Sequence, residues 1–287
     1  MSTITNSNVP PVVVKPARPW ALRALPPFPA VASRILALVD NDDVAAKQIT
    51  ECIKLDPTFT AEILRVANSS LFGVAREIAS VRHAVSLLGL NHVKAMATLI
   101  AANSMVKPVI RIETLRKFWH HSLVTAILTE ESARICNPDL EGAHTAGLLH
   151  NLGTLCLMST YPREYDGLIR ISREYGFDLL GAERDLFDID HCAAGALLAE
   201  DWNLPESIVA AIANHHEEPR KSDTLASLVQ TCWRLADVLG FEAFPDERAW
   251  TYEELIGLMP ARAESWLTNG IEGLKSEVKA RFSSLNL

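Results

Sequence analysis

The chain has 287 residues, 48% of them hydrophobic and 22% charged, with a formal net charge of -8 at pH 7. That is an ordinary globular balance, with enough apolar material for one large domain or two smaller ones. The negative charge and the lack of any Lys/Arg run argue against a nucleic-acid or other polyanion binder. No run of about 18 apolar residues occurs, and the start, MSTITNSNVPPVVVKP, lacks a basic segment followed by an apolar one. A cytoplasmic protein without membrane association is expected. Five scattered cysteines, Cys52, Cys136, Cys156, Cys192 and Cys232, form no CxxC pair and are odd in number, which reads as reduced, buried thiols.

Residues 1 to 24 carry Pro10, Pro11, Pro16 and Pro19 without clear periodicity, and an extended arm is expected there. From residue 25 the pattern is helical. "LPPFPAVASRILALVD" places Val31, Ile35 and Leu38 on one face, and "NDDVAAKQITECIKLD" groups Ala45, Ile49, Cys52 and Ile53. "DPTFTAEILRVANSS" has a clear helix start, Asp56 as N-cap and Pro57 at the first helical position, then a buried stripe of Phe59, Ile63, Val66 and Ala67. "SVRHAVSLLGLNHVKAMATLI" reads as two helices, the first ended by Gly89 and the second capped by Asn91. Further helices are expected over about 113 to 135 and, through "HTAGLLHNLGTLCL", over about 142 to 159. Beyond residue 241, Trp250, Leu255, Leu258 and Trp266 lie on amphipathic stretches that should pack back on the body. There is no alternating strand series and no fixed-period repeat, so the fold class is all-α.

Seven of the nine histidines lie between His120 and His216. The composition changes near residues 107 to 113, which divides the chain into two helical subregions with any metal chemistry in the second. Imidazole nitrogens and carboxylate oxygens are the usual ligands of Zn, Fe, Mn and Ni. The candidates are His121, His150, His191, His215, His216 and Asp237. His121 shares an inward helix face with Phe118 and Leu128, and "ANHHEE" sets two imidazoles at a helix end. Asp237, inside the apolar "RLADVLG", needs a partner if it is buried. His120 reads as the spare of its pair and His144 as structural or exposed. Taken singly, each histidine reads as a hydrogen-bonded core or surface residue; the set as a whole is harder to read that way. In "HNLGT" an amide, Asn151, follows His150, where a bridging metal ligand would need a carboxylate. Arg76, Arg82 and His83 read as a solvated basic face, and no glycine-rich phosphate loop accompanies them.

Seven motifs in order carry a family resemblance: "LPPFPAVASRIL", "KLDPTFTAEILRVANSSLFG", "SVRHAVSLLGLNHVKAM", "FWHHSLVTA", "HTAGLLHNLGTLCL", "DHCAAGALLAEDWNLPESIVAAIANHHE" and "LADVLG". Over about residues 25 to 240 the chain resembles the HDOD domain proteins, relatives of the HD and HD-GYP metal-phosphohydrolases. The resemblance implies a multi-helical HD-like fold with two packed subregions, 25–110 and 111–240. These follow the arm at 1–24 and precede a helical extension at 241–287. It also implies that His121, the His150–Asn151 pair, His191, the His215–His216 pair and Asp237 occupy the metal-ligand positions of the hydrolases, with Fe, Mn, Zn or Ni as the candidate cofactor. Two departures stand out: Asn151 replaces the HD aspartate, and Thr154 replaces the lysine expected after "HDxG". There is no GYP-type signature. The reading that follows is a non-enzymatic regulatory module of signal transduction, with a degenerate metal site and no catalytic residue. It would act through contacts with other signalling proteins. The alternative is a divalent-metal phosphohydrolase acting on a nucleotide or cyclic dinucleotide.

Overall fold

Asp56 and Pro57 open a helix as expected: the Asp56 side chain accepts hydrogen bonds from the backbone N–H groups of Thr58 and Phe59, and Pro57 occupies the first turn, where no amide donor is needed. The computed structural model describes residue 31 and residues 46–104, 112–137, 140–243, 248–267 and 270–284. The expected arm at 1–24 and residues 107–111 of the junction expected at 107–113 lie outside these residues, as do Ile35, Leu38 and Ala45.

Among the described residues the chain is helical throughout, without a strand. The first subregion holds α1 (Ala46–Ile53), α2 (Pro57–Ala67) and α3 (Val81–Ser104). Phe59, Ile63 and Ala67 of α2 are fully buried, and Val66 packs against the same core at its edge. The long α3 is two helices joined at Gly89, whose φ of 73° and ψ of 158° are open to glycine but not to a side-chain-bearing residue. The loop between α2 and α3 is pinned by Asn68, whose amide exchanges both hydrogen bonds with the backbone of Ile78.

The second subregion begins with α4 (Ile112–Cys136), followed by α5 (Ala143–Leu149), α6 (Leu152–Thr160), α7 (Pro162–Tyr175), α8 (Leu179–Phe187), α9 (His191–Asp201), α10 (Glu206–Ala213) and α11 (Leu225–Val238). The "HTAGLLHNLGTLCL" stretch is therefore two helices and not the single one expected. The break falls at His150 and Asn151, where Asn151 leaves helical geometry at φ -94° and ψ 24°. Periodicity could not show this, because the stretch is apolar on every side and both helices are buried. The tail forms α12 (Tyr252–Leu258), α13 (Ala261–Leu267) and α14 (Gly270–Ser284). Leu255 is buried in the main core, and Trp250 and Trp266 pack against it.

The two subregions share one hydrophobic core, which runs from Ile49 and Phe59 through Leu123 and Leu149 to Leu228 and Leu274. A smaller cluster of Phe118, Leu157, Met158, Tyr165, Ile169, Leu179 and Ala243 seals the α6–α8 side. Polar ties cross the junction. The Trp119 indole donates to the carbonyl of Leu55, Thr145 to that of Ala79, and His144 lies 3.1 Å from both the carbonyl of Lys54 and a carboxylate oxygen of Glu130. His144 is thus structural. His120 is half-buried, its ring against Trp119, and Arg76, Arg82 and His83 are exposed. All five cysteines are buried thiols outside any disulfide.

Glu130 also holds Lys54 at 2.7 Å. Burial alone would raise its carboxyl pKa, but His144 and Lys54 hold it down to about 2, from an ordinary value near 4.5. A depressed carboxyl stabilises the fold above its unfolded pKa, and that contribution is lost as pH falls from about 4.5 toward 2. Glu130 keeps 41% of its side-chain surface, so solvent screening limits the effect to under about 1 kcal/mol. Urea midpoints should therefore differ modestly between the protein and Glu130→Gln at pH 7. The difference should shrink as pH falls toward 2.

Candidate functional site

Two glycines build the site. A Cβ on Gly147 of α5 would lie 2.7 Å from Cα of Ala126 and 2.9 Å from the carbonyl of Thr125, so α5 presses directly on the backbone of α4. A Cβ on Gly153 of α6 would lie 1.9 Å from the carbonyl oxygen of His191, so α6 crosses the start of α9 just as closely. His150 and Asn151 sit at the break between these two crossings. One contact draws in the helix that bears His121, and the other draws in His191 itself.

The imidazoles form a continuous chain. Ring centroids are 5.4 Å apart for His121 and His150, 5.1 Å for His150 and His215, 5.2 Å for His191 and His215, and 4.9 Å for His191 and His216. Asp237 closes the His121 end, its carboxylate 3.2 Å from His121 Nδ1. The structure thus brings together all six candidate residues: His121, His150, His191, His215, His216 and Asp237. His121, His150, His191 and His215 are buried, and His216 is half-buried.

Backbone carbonyls and carboxylates only accept hydrogen bonds, and this fixes the tautomers. His150 Nδ1 donates to the carbonyl of Gly147 at 2.7 Å, and His215 Nδ1 to that of Ile212 at 2.7 Å. His121 Nδ1 faces the carbonyl of Phe241 at 3.0 Å, and His191 Nδ1 faces Glu183 at 2.7 Å. The Nε2 atoms of His191, His215 and His216 face one another. His191 Nε2 lies 3.3 Å from His215 Nε2 and 3.1 Å from His216 Nε2. His150 Nε2 and the Asn151 amide oxygen are buried with no hydrogen-bond partner among the described residues.

Burial pushes the pKa values of His150, His215 and His216 well below the ordinary imidazole range, and the neighbouring imidazoles reinforce the shift. Burial opposes charge on His191 too, but the Glu183 carboxylate prevails and raises its pKa well above that range. The Glu183 carboxylate thus favours the charged form of His191, whose Nε2 faces the Nε2 atoms of His215 and His216.

Several residues of the site were not evident in the sequence. Glu183 is fully buried; one of its oxygens accepts from both the Nδ1 and the backbone N–H of His191, and the other accepts from the Tyr165 hydroxyl. Burial, then the adjacent Glu183 charge, pushes the Tyr165 phenol pKa up. Thr154, buried, lies beside Tyr165. From α11, the Arg234 guanidinium donates to the carbonyls of His215 and His216 and the Trp233 indole to that of His215, which holds the double-histidine turn. Cys192 joins His191, His215 and His216 in one group whose donor atoms all lie within 4.8 Å of one another. An acidic residue in "LLGAERDLF" and an arginine in the apolar "LVQTCWRLADV" were the available signals, but neither names its partner without the fold.

A cavity of about 400 Å³, open to the surface, is lined by Cys192 and His216 together with Asp190 and Glu217. Among the described residues no helix is long and apolar enough to cross a membrane.

The helical frame is that of an HDOD/HD-like fold. The family model of the HDOD domain matches residues 25–218, and the chain belongs to that family. The match stops short of Asp237. In solved structures, the response regulator MmoQ of Methylococcus capsulatus str. Bath is 28% identical, with a TM-score of 0.66 over 83% of this chain and 98% of that one. A virulence factor of Campylobacter jejuni subsp. jejuni shares the fold at 20% identity and a TM-score of 0.63, over 88% of this chain and 89% of its own. An uncharacterized protein of Treponema pallidum (strain Nichols) is 25% identical over 209 residues, 72% of this chain. The matched segment spans 40% of that curated relative's length.

Proposed function

We propose that this protein is a non-enzymatic HDOD module of signal transduction, acting through contacts with other signalling proteins and carrying a degenerate HD-type site formed by His121, His150, His191, His215, His216 and Asp237. The observation that carries the reading is Asn151. At the break between α5 and α6 it faces the interior as a neutral amide, its oxygen unpartnered among the described residues. A two-metal phosphohydrolase needs a charged group able to bridge its ions and lower the pKa of a metal-bound water. An amide oxygen can ligate one ion but supplies no charge. The donor set therefore fits a single divalent metal and does not fit a catalytic pair.

Two further features support the reading. Thr154 is an uncharged residue buried beside Tyr165, so the position supplies no cation to a phosphoryl group. Glu217, an exposed carboxylate, lines the cavity beside His216 and disfavours a phosphate ester there. A signalling role is consistent with the likeness to MmoQ, described as a response regulator.

With Mn or Fe supplied, the unmodified protein should not hydrolyse cyclic dinucleotides above the buffer rate. Asn151→Asp, which restores the missing charge, should bind divalent metal more tightly in a calorimetric titration. Robust metal-dependent hydrolysis by the unmodified chain, abolished in His150→Ala, would make the phosphohydrolase reading the correct one.

A further inference from the structure

The His215–His216 turn is also gripped by chain beyond residue 218, where the family match ends. Five side chains from three segments stack in one run. The Arg248 guanidinium lies 3.9 Å from the centroid of the Trp250 ring, and the Arg234 guanidinium lies 5.4 Å from the same ring. Arg234 is in turn 4.6 Å from Trp233, whose ring is 4.9 Å from that of His216. Arg234 is buried and donates to the carbonyls of His215 and His216. A second tie runs over the surface. Arg248 pairs with Glu218, two residues past His216, at 3.2 Å, and with Glu254 at 2.7 Å. Glu254 closes the capping box with Thr251 that starts α12. Exposed ion pairs hold little by themselves. The weight of the attachment therefore falls on the guanidinium–ring contacts, which strengthen where the cation is desolvated, as Arg234 is.

We infer that Arg248 and Trp250 form a clasp that couples the C-terminal helices α12–α14 to the His215–His216 turn, so that loosening either one loosens the other. Arg234 is the shared part. A guanidinium donates hydrogen bonds in its plane and stacks through its faces, so Arg234 can serve the histidine carbonyls and the indole rings at once. Without Trp250 it keeps the carbonyls but loses a wall, and any tilt it takes up moves the backbone of both histidines. Coupling of this kind is reciprocal: what disorders the turn weakens the hold on the extension by the same free energy. Arg248 and Trp250 are thus positioning residues that act on the cluster through Arg234 and Glu218. In the signalling function proposed above, on which this consequence rests, a protein that engages the extension would thereby reach the histidine cluster.

The test is NMR on the full-length chain, reading histidine ring signals and amide hydrogen exchange. Trp250→Leu should shift the ring signals of His215 and His216. It should also speed exchange of the Glu217 amide, which donates to the Asn214 carbonyl at 3.0 Å, by roughly 10-fold. Trp250→Phe keeps an aromatic face and should restore most of both. Arg248→Gln, a change at an exposed position, should move the same signals by less, and it reads the clasp even if Trp250→Leu does not fold. In the reverse direction, Arg234→Lys keeps a charge but no planar face. It should speed exchange of the Glu254 amide, which donates to the Thr251 hydroxyl at 3.2 Å at the start of α12. His216→Ala gives the same reverse readout if Arg234→Lys does not fold. The control is Trp266→Leu, in the same extension but packed on the core and bonded to Glu277. It should lower stability and leave the His215 and His216 signals in place. Unmoved ring signals in folded Trp250→Leu or Arg248→Gln, equal shifts in Trp266→Leu, no restoration in Trp250→Phe, or an unchanged Glu254 amide in the reverse variants would each overturn the clasp. That failure leaves the signalling function standing, whereas phosphodiesterase activity of the unmodified chain would overturn that function and leave the clasp.

Discussion

Gly153→Ala is expected to destabilise the protein by upward of about 3 kcal/mol, read as a loss of urea midpoint and melting temperature. The added carbon would meet the carbonyl oxygen of His191 at 1.9 Å and the backbone nitrogen of Gly195 at 2.6 Å. Both are main-chain atoms, so relief requires α6 and α9 to separate and no rotamer change can substitute for that. Separation would also pull His150 away from His191, so the aromatic and histidine signals of the cluster should shift in NMR even where the variant stays folded. Gly167→Ala is the matched control. That glycine lies within α7, where a new Cβ meets nothing within 4 Å, and the change should stabilise by about 0.5–1 kcal/mol through lower backbone entropy in the unfolded chain. Equal effects at the two positions would refute the close-crossing account of the site.

Glu183→Ala should cost about 3–5 kcal/mol, because it strips a buried ion pair of one partner and leaves the rest in place. Three donors lose their acceptor at once: the Nδ1 of His191, its backbone N–H and the Tyr165 hydroxyl, all inside a region with no access to water. Glu183→Gln keeps an acceptor oxygen and the side-chain volume, so it should recover part of the loss. Tyr165→Phe removes one donor without orphaning the carboxylate's other bonds and should cost less than either. A double-mutant cycle between Glu183 and Tyr165 should show strong coupling, since they share a hydrogen bond in the interior. The spectroscopic check is the His191 ring: with Glu183 present its Nδ1 is protonated, and in Glu183→Ala that preference should weaken. Wild-type stability for Glu183→Ala would remove Glu183 as the residue that orients His191.

Much of the fold was legible because it rests on local chemistry. The Asp56–Pro57 start, the stop at Gly89 and the double histidine after α10 each depend on a few adjacent residues, and each stands where the sequence places it. The inward face of His121 followed from its spacing with Phe118 and Leu128, all three of which are buried. The break at His150 and Asn151 was not legible. A helix that is apolar all round gives no periodic signal, and the interruption is imposed by two neighbouring helices that meet the chain at Gly147 and Gly153.

The same division holds for the site. Residue types and order determined by themselves which imidazoles were candidates and that Asn151 brings an amide where a carboxylate would be needed. These are properties of single side chains, and folding does not change them. Only the tertiary structure decided which ring nitrogens of His191, His215 and His216 face one another, that Glu183 and Arg234 support the cluster, and that Cys192 stands among the donors. Those are pairings between segments far apart in the chain, such as Arg234 with His216. The direction of a hydrogen bond or the convergence of four donor atoms exists only once close helix packing has set the distances.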